Sequence, residues 1–224
     1  MSITIGFDVY GTLIDTAGVT EALKAFAGDR AVAFSTLWRE KQLEYSFRRA
    51  LMQNYVHFGF CTRYALDYSC AALGVEISEV DKEALLAGYK VLPAFADAAT
   101  SLPLLKDEGH RLFAFSNGKP EDVASLLDNS GISSCFEEVV STDEIKSFKP
   151  NPAVYAHFLR RTGATGKEAW LISGNPFDVI GAVSAGMRAA WVRRSPQAIF
   201  DPWEIEPTLT IGSLSELAEG IRGM

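Results

Sequence analysis

The stretch Ile3-Thr4-Ile5-Gly6-Phe7-Asp8-Val9-Tyr10-Gly11-Thr12-Leu13-Ile14-Asp15 decides the reading of the whole chain. An apolar run of strand composition, Ile3 to Phe7, ends in an acid and then breaks in a Gly-Thr turn. A carboxylate at a strand tip beside free backbone amides is placed for chemistry. The same Asp-x-x-Gly-Thr pattern also serves as a plain turn, so the other strand tips have to decide between the two.

Moving outward, the chain after residue 95 alternates short apolar runs with amphipathic stretches, which is the pattern of β-α-β units and a parallel sheet. The runs are Leu112 to Phe115, Val139 to Val140, Trp170 to Ile172 and Ala189 to Val192. Between them fall helical patterns, Glu121 to Asn129, Pro152 to Arg161 and Val179 to Ala185, stopped by Gly131, Gly163 and Gly186. Residues 16–96 differ. Their apolar positions recur at helical spacing, as in Phe34, Leu37, Trp38 and Tyr45, then Cys61, Ala65, Tyr68 and Ala72. The expected fold is therefore α/β: a three-layer parallel sheet core made of residues 1–15 and 97–224, with an all-helical cap of about four helices, residues 16–96, inserted after the first strand. Ligands of such sheets bind beyond the carboxyl ends of the strands, and a cap over that edge excludes water.

Composition narrows the function. The 224 residues are 48% hydrophobic and 22% charged, as in soluble globular domains. A net charge of −7 is the wrong balance for a nucleic-acid binder, which needs clustered cations against phosphate. No apolar run reaches bilayer length, and Met1 to Asp8 carries no basic segment ahead of its apolar run, so neither membrane insertion nor export is expected and the location read is cytoplasmic. Three cysteines, Cys61, Cys70 and Cys135, make neither a disulfide framework nor a zinc site, and His57, His110 and His157 are scattered. The cysteines read as small core hydrophobes.

The remaining strand tips are Phe115-Ser116-Asn117-Gly118 and Ser173-Gly174-Asn175-Pro176-Phe177-Asp178, with Ser147-Phe148-Lys149-Pro150-Asn151-Pro152 on the crossover between them. A hydroxyl, a lysine and a second acid thus follow Asp8 in order. This constellation resembles the haloacid dehalogenase superfamily over essentially the whole chain, and within it the sequence is most similar to the L-2-haloacid dehalogenases. The resemblance implies a Rossmann-like core, a nucleophilic Asp8, and no cofactor or metal. Tyr10 chooses the branch. Phosphatases of the superfamily carry a second acid there to protonate the leaving alkoxide, whereas a halide leaves as a stable anion and needs no proton. Asn175 likewise stands where phosphatases commonly have a further acid for magnesium.

The implied reaction converts short (S)-2-haloacids to (R)-2-hydroxy acids with one inversion, through an ester on Asp8. Lys149 keeps Asp8 ionised, and Asp178, steadied by Asn175 and Lys149, is the base of ester hydrolysis. Thr12 and Ser173 resemble orienting positions. Ser116 and the amides after Asp8 take the substrate carboxylate, while Arg39, from the cap stretch Trp38-Arg39-Glu40-Lys41-Gln42-Leu43-Glu44-Tyr45, and Asn117 receive the halide. Tyr155 matches a family site tyrosine. Tyr10, Leu43, Phe58 and Phe177 are the expected walls of a small, greasy pocket. The partners the resemblance implies are the haloacid and halide, with a homodimer as the arrangement common in that family and no sign of it in the composition. A superfamily phosphatase acting on a small phosphorylated acid is the alternative, and a silent regulatory protein is a third reading, disfavoured because unused buried charges cost stability.

Overall fold

The computed structural model describes residues 2–223. The core is a six-stranded, all-parallel sheet of β1 (Thr4–Phe7), β2 (Arg111–Ser116), β3 (Glu138–Ser141), β4 (Ala169–Ser173), β5 (Arg188–Val192) and β6 (Leu209–Ile211), in the order β3-β2-β1-β4-β5-β6. The order reverses at β1. The connections run to β2 and β3 on one side and to β4, β5 and β6 on the other, which opens a crevice at the carboxyl ends of β1 and β4. Phe7 pairs with Ile172, so Asp8 and Ser173 leave the sheet at the same level.

Alternation along the strands builds the layers. Leu112 and Ala114 face one side, with Leu102, Leu105, Val123 and Leu126 of α5 (Ala96–Asp107) and α6 (Pro120–Asn129). Phe113 and Phe115 face the other, against Val154, Phe158 and Val179 of α7 (Pro152–Thr162) and α8 (Pro176–Ser184). The three-layer arrangement expected from the pattern is present.

Between β1 and α5 lie α1 (Ala17–Ala27), α2 (Ala31–Leu51), α3 (Phe58–Leu73) and α4 (Glu79–Gly88). The two chain passages that join them to the sheet run side by side: Asp15 N–H donates to the Pro93 carbonyl at 2.9 Å, and Phe95 N–H donates to that of Leu13 at 2.8 Å. Trp38 Nε1 on α2 donates to the Thr62 carbonyl of α3 at 2.8 Å, tying the two long helices together.

Three elements escaped the sequence reading. β6 is three residues at the sheet edge, too short to show as an apolar run. α5 carries Pro103 in its interior, which masks its helical pattern. The last, α9 (Leu217–Arg222), follows β6. Helix α8 begins at Pro176 and not at Val179, with proline in its first turn, where the missing N–H costs nothing.

Candidate active site

Two glycines bring the site together. Gly11 has φ +77, a left-handed conformation that turns the chain straight after Tyr10. Gly174 lies so close to the Gly11 carbonyl that a Cβ there would collide with it. The loops after β1 and β4 therefore touch, and Gly174 N–H donates to Thr12 Oγ1 at 2.8 Å.

Asp8 sits in the resulting crevice with its side chain 13% exposed. Its Oδ2 receives three side-chain donors: Asn175 Nδ2 at 2.7 Å, Thr12 Oγ1 at 2.8 Å and Ser173 Oγ at 3.4 Å. Its Oδ1 receives Lys149 Nζ alone, at 3.3 Å. The ammonium of Lys149 is wholly buried and also donates to Asp178 Oδ2 and the Phe115 carbonyl, both at 2.8 Å. All three of its protons are committed.

Asp178, in the first turn of α8, has no solvent exposure, and its Oδ1 accepts from Tyr155 Oη at 2.8 Å. Burial raises its pKa above the ordinary aspartate range; Lys149 opposes that rise, and the charge of Asp8 adds to it. The point between the two carboxylates, where a cation would settle, is taken by Lys149. Among the described residues no group of three or more His, Cys, Asp or Glu side chains is gathered where it could hold a metal.

The cap contributes Arg39. Its guanidinium donates to Asn175 Oδ1 at 3.3 Å and to Gln42 Oε1 at 2.7 Å. Burial lowers the Arg39 pKa, with Tyr89 and Asp8 acting the other way, and an arginine remains charged regardless. Asn175 is thus a neutral bridge, its Nδ2 donating to Asp8 Oδ2 and to the Tyr10 carbonyl while its Oδ1 accepts from the cap arginine. Gln42 is nearly fully buried and donates in turn to Thr62 Oγ1 at 2.6 Å, so α3 fixes Gln42 and Gln42 fixes Arg39. Sequence reasoning missed Gln42. Its signal was a polar residue three positions after Arg39, one helical turn on.

A cavity of about 690 Å³ opens between cap and sheet, with Tyr10, Arg39, Phe58 and Asn175 on its wall. The small pocket expected from the sequence is therefore corrected: the space between α1, α3 and α4 is several times what a haloacetate fills. Its size depends on how far the cap stands from the sheet, which no local pattern encodes. Leu43 and Phe177 are not on this wall. The Phe177 ring instead packs edge-on against Phe47 of α2, with centroids 5.1 Å apart, and serves as a contact between cap and core. Ser116 is buried and its Oγ accepts from Gly118 N–H at 3.1 Å. Asn117 turns its Oδ1 to the Lys149 backbone N–H at 3.0 Å and to Thr142 Oγ1 at 3.2 Å, which leaves its Nδ2 for a ligand. Tyr155, expected to meet the substrate, is instead fully buried behind Asp178 and is not on the cavity wall.

With this geometry in hand, three likenesses are informative, and a model of the haloacid dehalogenase-like hydrolases matches residues 4–186. The chain is 33% identical over 214 residues to an (S)-2-haloacid dehalogenase of Pseudomonas putida, covering 96% of this chain and 94% of that protein. It is 34% identical over 207 residues to haloacetate dehalogenase H-2 of Moraxella sp. (strain B), covering 92% of each. The structure of L-2-haloacid dehalogenase from Xanthobacter autotrophicus with chloropropionic acid covalently bound superposes with a TM-score of 0.90, at 33% identity and 100% coverage of both chains.

Proposed function

Since the chain belongs to the haloacid dehalogenase-like hydrolases, we propose that it hydrolyses short (S)-2-haloacids to (R)-2-hydroxy acids and halide through an ester on Asp8. The observation that carries this is the asymmetry of the Asp8 carboxylate. Oδ2 is saturated by Thr12, Ser173 and Asn175, whereas Oδ1 has Lys149 as its one donor and keeps a lone pair for attack.

Oδ1 attacks the α-carbon in line with the halide, and the C–halogen bond breaks as the ester bond forms. Ser116, with the amides after Asp8, holds the substrate carboxylate. Arg39, joined by the Nδ2 of Asn117, takes up the charge that develops on the halide. Water then attacks Cγ of Asp8 while Asp178 accepts its proton. The alcohol departs with the original Oδ1, and the water oxygen stays in the Asp8 carboxylate. Inversion happens once, at the α-carbon. A raised pKa suits Asp178 to this task, because a base works best near the operating pH. Tyr10, standing where a phosphatase needs its acid, argues against phosphoester cleavage.

Residues 16–96 form the proposed cap over a core of 1–15 and 97–224, hinged where Leu13 to Asp15 lie against Pro93 to Phe95. No helix among the described residues is long and apolar enough to cross a membrane. The cytoplasmic location belongs to the same proposal, supported by the free thiols of Cys61, Cys70 and Cys135. So does the homodimer, for which the exposed stripe Phe60, Tyr64 and Tyr68 of α3 offers an apolar face.

The test is a single turnover of (S)-2-chloropropionate in heavy-oxygen water with enzyme in excess. Chloride should be released, the label should enter Asp8 before product, and a generic phosphoester should yield no phosphate. Label found directly in the hydroxy acid would mean that water attacks the α-carbon; phosphate in place of chloride would mean a phosphatase.

A further inference from the structure

The cavity of about 690 Å³ falls in the range of sites that bury a drug-sized ligand. A three-carbon haloacid occupies a small part of it, near Asn175 and Arg39. Two groups on the rest of the wall have no task in the displacement.

The first is a pair of phenols. Tyr10 and Tyr89 stand edge to face with ring centroids 6.1 Å apart, and among the described residues neither hydroxyl has a hydrogen-bond partner. Burial pushes the Tyr89 phenol up to about 12 and Tyr10 higher still, so both remain protonated donors at neutral pH. The second is Lys119, the residue before α6. Its side chain is 35% exposed, so it is mostly covered, and its nearest carboxylate among the described residues is Glu121 at 3.9 Å, too far for a hydrogen bond. The other cations of the wall are engaged. Lys90 pairs with Asp122 at 2.9 Å, Arg63 pairs with Glu83 at 2.5 Å and with Glu79, and Arg39 serves the halide. Lys119 is the wall cation held by the loosest ion pair, with no hydrogen bond to its carboxylate, and Val19 and Leu86 give the same wall apolar surface for a methylene chain.

We propose that this wall is a second subsite for the far end of the substrate, and that the enzyme prefers 2-halodicarboxylates, whose distal carboxylate pairs with Lys119 and accepts hydrogen bonds from the phenols of Tyr10 and Tyr89. A cation whose ion pair with the exposed Glu121 is long, and two donors without acceptors, select an anionic acceptor over a neutral chain end. The inference rests on the dehalogenase reading and leaves its chemistry unchanged: the same C–halogen bond breaks, and the product is a 2-hydroxydicarboxylate. In a chain of net charge −7, a dianion needs such a local cation to enter.

The experiment compares kcat/KM for the (S)-2-chloro derivatives of succinate, glutarate and adipate with those of butanoate, pentanoate and hexanoate, which match them in length. At one length or more the diacid should be favoured by about tenfold or more. Lys119→Met should erase that preference through KM while leaving 2-chloropropionate within about twofold, and Lys119→Arg should retain most of it. Tyr89→Phe should weaken the diacid more than the monoacid. Equal or better turnover of the monoacid at every length overturns the inference. So does an equal loss on 2-chloropropionate and diacid in Lys119→Met, which would assign Lys119 to the α-carboxylate. No chloride from 2-chloropropionate with the unaltered enzyme would instead bring down the dehalogenase reading, and this inference with it.

Discussion

In the proposed reaction the two oxygens of Asp8 have different jobs because their donors are divided unequally, and the same logic governs the second acid. Asp178 is held between a cation that favours its charge, Lys149, and burial that opposes it, with burial the larger influence. Its folded pKa lies above the ~3.9 of an unfolded aspartate. Between those two values the folded state binds more protons than the unfolded one, so the contribution of Asp178 to stability falls as pH rises through that window. The proposed base is therefore kept at a cost in stability. Activity runs the other way, since only ionised Asp178 accepts the proton, and it is lost as pH falls through the raised pKa. The hydroxyl of Tyr155 donates to the ionised form and lowers the pKa. Tyr155→Phe should therefore displace the acid limb of the kcat profile to higher pH while substrate binding is little changed. A profile that keeps its acid limb, with a uniformly lower rate, would make Tyr155 a packing residue only.

At the scale of elements, the cap acts through α2 and α3 as a pair. Arg39 reaches over the sheet because Gln42, one turn on, holds its guanidinium, and Thr62 of α3 holds Gln42. Gln42→Leu should lower kcat by roughly tenfold to a hundredfold, since a displaced halide acceptor forfeits part of the ~2–4 kcal/mol typical of one such donor. Arg39→Ala should lose more, and adding Gln42→Leu to it should cost little further, because both remove the same interaction. Additive losses would detach Gln42 from Arg39. The strand-tip residues Asp8, Ser116, Lys149 and Asp178 were legible in the sequence because each follows an apolar run or sits in a Pro- or Gly-marked turn, while Thr12, Ser173 and Asn175 drew their roles from the family resemblance of those same turns. Gln42 was not, because its role depends on two helices packing. Phe177 shows the reverse error. Its position beside Asp178 suggested a pocket wall, but its ring packs against Phe47 of α2, a contact that only the docking of cap on core creates. Tyr155 likewise is assigned by tertiary contact, reaching Asp178 from α7 across the layer beneath the sheet.

For the whole molecule, the question is how a chain of net charge −7 gathers anions at one point. Asp8 and Asp178 are balanced by Lys149 and, through Asn175, by Arg39, so the four charges sum to zero before substrate enters. A haloacid brings one negative charge, met by Ser116 and backbone dipoles. The displacement then moves charge from Asp8 to the halide next to Arg39 without creating any. Phosphoryl transfer would press a multiply charged anion against Asp8 and call for a divalent cation between them, yet the ammonium of Lys149 already occupies the space between the two carboxylates, and Tyr10 and Asn175 offer no further acid to complete an octahedral shell of oxygens. Exhaustive dialysis against a chelator should therefore leave the rate of halide release unchanged, and added magnesium should not raise it. If activity vanished and magnesium restored it, the charge balance would have to be redrawn with a metal in place of Lys149, and the phosphatase reading would prevail despite Tyr10.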